Sequence, residues 1–517
     1  MRVMQRIRKG IRYMKANFLE LLEETARRLP EKTAFYDDRE GLSFRRLEEL
    51  AQRIGSRLAE ATGPRKPIAL LMDARSIRNI PAMYGTLYAG CAYAPLDITM
   101  PPERLTLLLD LMQPSAVLAD EKGIQAFESC GHADVPLIAY EDAAAAAVDT
   151  EKLQAIRKQA CIYDPMSVLY TSGSTGIPKG SVQTHFSYLH WTEATIEVYG
   201  LTENVVFGNQ SPFFYANSVL EVITPVALGS TVYLLPSGAL TFPKKMIENL
   251  REHHVSLLCM TPSSFISIVN GNVLTRGCLP ELKWGIMSGE SMPWEPLKVW
   301  MDATPGADWW HFYGSTEMFS VAVGKVDPDH KSGDRLPVGK PFSLVHILFL
   351  DENGEEAVPG EPGEMYVSSP WVAVNYYRDP ERTMASWVTD PLEAGWSERF
   401  FRGGDLGYLR EDGQLMVLGR RDNQIKHMGY RMEIGEVDAA LRKLPGIQEE
   451  CVLFDSEKDM LWCFYTGGTE EKEIRAGLKE QLVRYMIPDR FVQLTEMPHT
   501  ASMKLDRLAL KNMMEGA

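Results

Sequence analysis

Between residues 17 and 62 the apolar positions recur at helical spacing: FLELLEETARRL and RRLEELAQRIGSRLAEA predict two helices around a short hairpin. From Pro67 onward short apolar runs alternate with helical stretches. The runs are IALLM (68–72), SAVLAD (115–120), PLIAY (136–140), VVFGN (205–209), TVYLL (231–235) and VSLLCM (255–260). Their alternation with helices predicts βα units and parallel sheets covered on both faces. After about Pro337 strands dominate, with HILFLDENGEE, GEMYVS and GYLREDGQLMVLGR; Asn353-Gly354 and Asp412-Gly413 are hairpin turns. The pattern changes again near Arg420–Asp422 to helix 435–444, strands near 447–454 and 460–466, helix 470–485 and a polar tail. The expected fold is therefore α/β. Residues 1–421 form a large domain of βα-type sheets with a small β-barrel-like part, and residues 422–517 form a small, mobile α+β C-terminal domain. AAAAAV (143–148) reads as a short alanine-rich helix or linker, and no internal repeat is evident.

Composition narrows the function classes. The chain has 517 residues, 45% hydrophobic and 24% charged, enough to bury a sizeable core and too apolar for global disorder. A net charge of −15 is the wrong sign for a general nucleic-acid or anionic-membrane binder. Seven scattered cysteines, with no CxxC, fit reduced thiols better than a disulfide scaffold or a zinc site. No stretch approaches the ~18 continuous apolar residues of a membrane span. The basic start MRVMQRIRKGIRYMK lacks the apolar segment of a signal peptide and reads as a solvated helix or ragged end. Met14 is a candidate start, because recognisable organisation begins at Asn17-Phe18. The expectation is a soluble, cytoplasmic protein with neither nucleic acid nor membrane as partner.

The sharpest local feature is LYTSGSTGIPKGSVQTH (169–185), where a strand-like run enters a loop of small residues. Thr171, Ser172, Gly173, Ser174, Thr175 and Gly176 let backbone N–H groups and hydroxyls approach phosphate oxygens, and Lys179 adds charge. The loop is not a Walker A motif: Pro178 stands where that motif needs Gly, and Gly180 follows Lys179.

With this loop the sequence resembles the adenylate-forming superfamily of acyl-CoA synthetases, luciferases and adenylation domains of nonribosomal peptide synthesis. Further similar segments follow in the family's order: YAGCAYAPLD with Pro102 and Arg104, HFYGSTE (311–317), GEMYVSSPWVAVNYYRDPERT (363–383), FRGGDLGYL (401–409), GRRDNQIKHMGYRMEIGEV (419–437) and MPHTASMKLDR (497–507). Within the superfamily, NQSPFFYANSV (209–219) and HMGYRMEIGEV look closest to D-alanine:carrier-protein ligases and freestanding peptide-synthetase domains. The resemblance implies that ATP and a carboxylate yield an acyl-adenylate and pyrophosphate, and that a thiol then takes the acyl group. It implies catalytic roles for Lys504, Thr316, Glu317 and Lys426, with Glu317 on Mg²⁺. Tyr313, Gly314 and Ser315 would meet adenine and phosphate, and Asp405 and Arg420 the nucleotide's ribose or phosphate. Asp422 would be the hinge and Gly429 would stand beside the thiol tunnel. Ser502-Met503 replace the family's Asn-Gly before the lysine, and His311 replaces its frequent Asn.

Related domains for α-amino acids carry an aspartate that pairs with the substrate ammonium; alignment on Ser218-Val219 puts Ala216 there. A buried ammonium without a counter-charge is costly, so the substrate lacks one or another acid replaces the aspartate. Asn217 offers a hydrogen bond to a hydroxyl, keto or amide group. Phe214, Leu220, Ser264, Ile286, Ser288, Phe312, Ser320 and Val321 complete the expected wall. The reading is a freestanding enzyme that loads a small acid onto the phosphopantetheine thiol of a separate carrier protein. The alternatives are an acyl-CoA synthetase using free CoA, or a non-catalytic nucleotide-binding relative.

Overall fold

The computed structural model describes residues 15–515 except 133, 173–176, 331–334, 390, 393–394, 396, 422–423, 457 and 500–504. Met14, Gly173, Ser174, Thr175, Gly176, Asp422 and Lys504 thus lie outside the described residues.

Two open sheets carry the larger part. In one, the strands run in the order Asn375–Tyr376, Lys179–Thr184, Pro165–Thr171, Ala92–Leu96, Pro67–Leu71, Ala116–Ala119 and Leu137–Ala139, the last five mutually parallel. Pro67–Leu71 and Ala116–Ala119 are buried along their whole length, which is why they read as continuous apolar runs. In the other, Thr33–Tyr36, Thr231–Leu234, Val206–Asn209, Leu257–Met260, Trp284–Ser288 and Asp308–Ser315 form a parallel core with antiparallel strands at both edges. All six apolar runs between Pro67 and Met260 are strands, so periodicity located both sheets. Helices pack between them through a shared core that includes Phe44, Ile54, Tyr84, Tyr188 and Phe207. Ser43 caps Phe44–Ala61 by accepting the Arg46 N–H, and Thr184 caps His185–Tyr199 by accepting that of Ser187.

The strand-rich segment is an open antiparallel sheet, His346–Leu350, Gly363–Ser368, Arg399–Leu409 and Trp387–Thr389, with Leu415–Arg420 paired to Arg399–Leu409. It does not close into a barrel among the described residues. Asp412-Gly413 turns a hairpin as expected. The Asn353-Gly354 turn instead leads only to the isolated bridge Leu350–Glu356, and the paired strand begins at Gly363. Within AAAAAV, the helix Tyr140–Ala145 ends before Ala146.

Beyond Arg421, Ile447–Asp455, Met460–Gly467 and Arg490–Gln493 form a sheet flanked by the helices Ile434–Leu441 and Glu471–Gln481. The expected polar tail contains the helix Arg507–Glu515, whose Leu510 and Met514 bury against Cys451, Trp462 and Phe464. At nine residues it is too short for helical spacing to stand out after the polar stretch before it, so the pattern alone hid it. Among the described residues no helix is long and apolar enough to cross a membrane, and all seven cysteines are free.

One buried histidine ties the first helix to the body. His185 is 3% exposed, and its Nδ1 accepts the Phe18 N–H at 3.2 Å. Burial pushes the imidazole down to about 4, with Asp164 opposing the shift. The unfolded ring titrates near ~6.5, so protons favour the unfolded chain. This contribution is complete above that pH and is lost as pH falls toward the folded value. The unfolding free energy from urea titrations should drop between pH 7 and 4, by about 3 kcal/mol for this group. His185→Gln should flatten that part of the profile; an unchanged slope would remove His185 as its source.

Candidate functional site

The parallel strands of both sheets end at one cleft, where loops are free to carry polar side chains. Thr171 closes Pro165–Thr171, and Lys179 opens the antiparallel strand Lys179–Thr184 that returns from the glycine-rich loop. Ser172 is buried and donates from Oγ to the Arg431 carbonyl at 2.9 Å. Tyr313, Gly314 and Ser315 end the strand Asp308–Ser315. A Cβ on Gly314 would lie 1.5 Å from the Phe319 carbonyl oxygen, so only glycine permits this tight return into Phe319–Lys325.

That return delivers Thr316 and Glu317 to the cleft. Glu317 is fully buried, and both carboxylate oxygens are engaged. Oε2 meets Arg431 Nη1 at 2.7 Å and accepts the Ser315 hydroxyl at 2.9 Å. Oε1 accepts the Tyr376 hydroxyl at 2.9 Å and lies 3.3 Å from Lys179 Nζ. Lys179 in turn donates to the Tyr376 oxygen at 3.0 Å. Burial would raise the Glu317 pKa, but the Arg431 and Lys179 charges override it and hold the carboxyl well below the usual range.

The residues expected from the sequence to face a nucleotide also converge. Tyr313 donates its hydroxyl to Asp405 Oδ2, and Arg420 Nη1 lies 3.2 Å from Asp405 Oδ1. Burial and the Asp405 charge push the Tyr313 phenol far up, so it remains a donor. Lys426 lines the same cavity; burial lowers its ammonium pKa, opposed by the Asp405 carboxylate. His311 lies behind this wall, its Nδ1 3.1 Å from the Pro337 carbonyl oxygen and its Nε2 3.3 Å from that of Glu290. Its neutral ring, favoured by burial, is a spacer within the core.

Asp405, Arg420, Lys426, Gly314, Ser315 and Thr316 share one cavity of about 90 Å³ with Ala216, Asn217, Leu220, Ser288, Phe312 and Ser320. Six of the expected wall residues are thus brought together. Phe214, Ser264, Ile286 and Val321 are not among the lining residues; Ile286 and Val321 are fully buried core. Sequence reasoning missed Trp191, Tyr215, Val219, Gly289, Phe319, Gln424, Ile425 and Arg431. Trp191 lies on a helix with no motif of its own, and its indole donates to Ser320 Oγ at 3.3 Å. Arg431 and Gln424 lie inside a recognised motif that by itself assigns them no role. Asn217 Oδ1 accepts the Ser288 hydroxyl at 2.9 Å, while its Nδ2 is buried without a partner. No carboxylate lines the Ala216 side among the described residues. Glu221, on the helix that follows, accepts from Asn209, and burial pushes its carboxyl pKa up.

A two-stranded hairpin, Gln424–His427 with Tyr430–Glu433, closes the cavity. Its central residues Met428 and Gly429 have φ of 51° and 83°, the signature of a type I′ turn. A Cβ on Gly429 would come within 2.9 Å of the Thr261 side chain, so the turn seats closely only as glycine. Gly429 N–H donates to Glu290 Oε1 at 2.7 Å, and its carbonyl accepts the Tyr215 hydroxyl. Arg104, from the early YAGCAYAPLD region, pairs with the buried Glu436 just beyond the hairpin.

Residues 22–377 match the family described as AMP-binding enzyme, and residues 436–504 its C-terminal domain. The chain is 32% identical over 505 residues to a mycosubtilin synthase polypeptide of Bacillus subtilis, covering 95% of this chain but only 19% of that protein. The adenylation domain AlmE of Vibrio cholerae, solved with glycyl-adenosine-5′-phosphate, superposes with a TM-score of 0.83 at 18% identity, covering 98% of this chain and 99% of that one. The o-succinylbenzoate CoA synthetase of Bacillus subtilis, bound to a product analogue, gives 0.81 at 22% identity over 96% and 98% of the two chains. The two structural likenesses establish a shared fold.

Tyr376 is the neutral member of the Glu317 cluster, bridging Lys179 and the carboxylate. Tyr376→Phe should leave both charges short of a partner and cost about 1–3 kcal/mol, read as a lower urea midpoint at unchanged m-value. An unshifted midpoint would mean that the bridge carries no net stability.

Proposed function

Because the chain belongs to the AMP-binding enzyme family, a branch of the adenylate-forming superfamily, we propose that it activates a small carboxylic acid with ATP. The acyl-adenylate would then pass its acyl group to the phosphopantetheine thiol of a separate carrier protein. One observation carries this reading: a single cavity joins the polar cluster Asp405–Arg420–Lys426–Thr316 to a neutral wall around Ala216 and Asn217. Asp405 would hold the ribose hydroxyls, a reading supported by Tyr313 and Arg420 fixing its two oxygens. Thr316 and Glu317 offer only hard oxygen donors, the chemistry a magnesium ion bridging phosphates requires; bound there, it would neutralise phosphate charge. Lys179 and the loop 171–176 would face the phosphates of ATP. Lys504 would stabilise the charge developing on the α-phosphate, arriving with residues 422–517 as they turn about Asp422. The docked Gly429 hairpin supports a second state, in which Lys504 has given way to a thiol route.

The neutral wall supports an acid without an α-ammonium, since the one buried acid on the adjoining helix is engaged with Asn209. The unpartnered Asn217 Nδ2 suits an acceptor on that acid, such as a keto or hydroxyl oxygen. Free CoA is the alternative acceptor, favoured by the fold shared with a CoA synthetase; a purified holo-carrier protein tested against CoA separates the two.

Lys504→Ala should reduce substrate-dependent pyrophosphate exchange by on the order of 10²–10³, while sparing acyl transfer from presynthesised adenylate. Near-normal exchange would remove Lys504 from the first step, and no exchange by the parent across a broad acid panel would favour a non-catalytic relative.

In that panel, keto, hydroxy, aryl and short acyl acids should exceed α-amino acids. Ala216→Asp should weaken the preferred acid by burying a carboxylate beside a neutral group, and should open activity toward an α-amino acid. A parent enzyme that prefers an α-amino acid, and loses that preference when the ammonium is removed, would overturn the pocket reading.

A further inference from the structure

The helix His185–Tyr199 carries Tyr188 and Trp191 one turn apart, and the Phe319 ring packs against both, at centroid distances of 5.1 and 5.2 Å. Phe319 reaches that place from a backbone φ of 49°, a left-handed conformation that is costly for an aromatic residue and persists only where the surroundings hold it. The next residue, Ser320, is held by two indoles. Trp371 donates to its carbonyl at 2.8 Å and Trp191 to its Oγ at 3.3 Å. Trp191 and Ser320 are both buried, and both line the cavity that also holds Asn217.

An indole N–H can only donate, so Ser320 Oγ accepts from Trp191 and its own hydrogen is left over. Among the described residues nothing takes that hydrogen. Asn217 is in the same condition: its Oδ1 accepts the Ser288 hydroxyl at 2.9 Å, and its Nδ2 is buried without a partner. The neutral end of the cavity therefore keeps two unspent donors, and leaving a buried donor unpaired is costly. A keto oxygen has two lone pairs and brings no hydrogen of its own, so one such oxygen satisfies both. The space is also short. The whole cavity is about 90 Å³, shared with Asp405, Arg420 and Lys426, and the Trp191 and Phe319 rings bound its far end.

We propose that Trp191 is a positioning residue for the acid: by occupying Ser320 Oγ it turns the serine hydrogen toward the cavity, and with Phe319 it closes the end, so that the site takes a short 2-oxo acid. This rests on the adenylating reading above and names the substrate class within it. Asn217 Nδ2 and Ser320 Oγ both donate to the 2-oxo oxygen, and the short alkyl part of the acid meets the Trp191 and Phe319 rings. A 2-oxo group carries no charge, so it needs no carboxylate at Ala216.

The test is pyrophosphate exchange by the full chain with 2-oxobutyrate, with its alkene isostere 2-methylenebutyrate, which keeps the shape and lacks the acceptor, and with 2-oxooctanoate for length. In kcat/KM the parent should favour 2-oxobutyrate over the alkene by roughly tenfold or more, and should favour it over 2-oxooctanoate as well. Ser320→Ala and Trp191→Phe should each cut the first ratio severalfold, and the double variant should cut it no further than Ser320→Ala alone. Trp191→Ala should move the length preference toward 2-oxooctanoate. Variants that lower all three acids alike and leave both ratios unchanged overturn the proposal. Should the variants not fold, equal use of 2-oxobutyrate and 2-methylenebutyrate by the parent, or exchange confined to acids without a 2-oxo group, overturns it instead. Exchange by the parent with any acid tests the adenylating reading separately, so exchange without preference for the keto acid defeats this inference alone. If no acid supports exchange, calorimetric binding of the same isosteric pair to the full chain decides it: tighter 2-oxobutyrate supports the proposal, and equal affinity overturns it.

Discussion

The buried carboxylate of Glu317 is the constraint on which the rest of the site depends. A charge with no exposed surface must be matched, and here the partners come from four places: Ser315 two residues before it, Lys179 at the start of the strand Lys179–Thr184, Tyr376 on an edge strand and Arg431 on the hairpin. Satisfying one group fixes the approach of the two sheets and the seating of the small part. The strand Asn375–Tyr376 pairs with Lys179–Thr184, so Tyr376 and Lys179 reach Glu317 as one rigid edge.

The second constraint is the neutral end of the same cavity. Ala216 removes charge where Asp405, Arg420 and Lys426 supply it a short distance away. The cavity is therefore polar where a nucleotide would lie and mostly apolar, with one free amide donor, where an acid would lie. Trp191 and Phe319 pack together, ring centroids 5.2 Å apart, and give that end its aromatic wall. Tyr215 belongs to this wall and also donates to Gly429, so the neutral end of the cavity and the docked hairpin share a residue.

The small part is joined to the larger by several specific polar contacts. Its own cluster around Met432, Val437, Val452 and Leu461 meets that around Leu96 and Leu105 through the half-buried Met100. Across the boundary lie Arg104–Glu436, Gly429–Glu290 and Ser172–Arg431. Such contacts can be exchanged for others of similar strength, whereas a shared apolar core resists sliding.

The strands of the two large sheets, the order of the motifs and the Asp412-Gly413 hairpin were determined by the sequence alone. Apolar runs buried on both faces need no tertiary information to be recognised, and motif residues are local in sequence. Ala216 and Asn217 were legible for the same reason, being two positions beside a recognisable Ser-Val. The wall residues Trp191 and Phe319 were not, nor was the placing of Ile286 and Val321 in the core rather than the wall. In a strand or helix packed on both sides, which face meets a cavity depends on what packs opposite. The helix Arg507–Glu515 was hidden because it is only nine residues long and the partners that bury it, Trp462 and Phe464, are distant in sequence. Only the tertiary structure decided that Arg431 meets Glu317. Neither residue's neighbours encode the other, and the pair exists because a buried negative charge draws its counter-charge from whichever part of the chain the fold brings within reach.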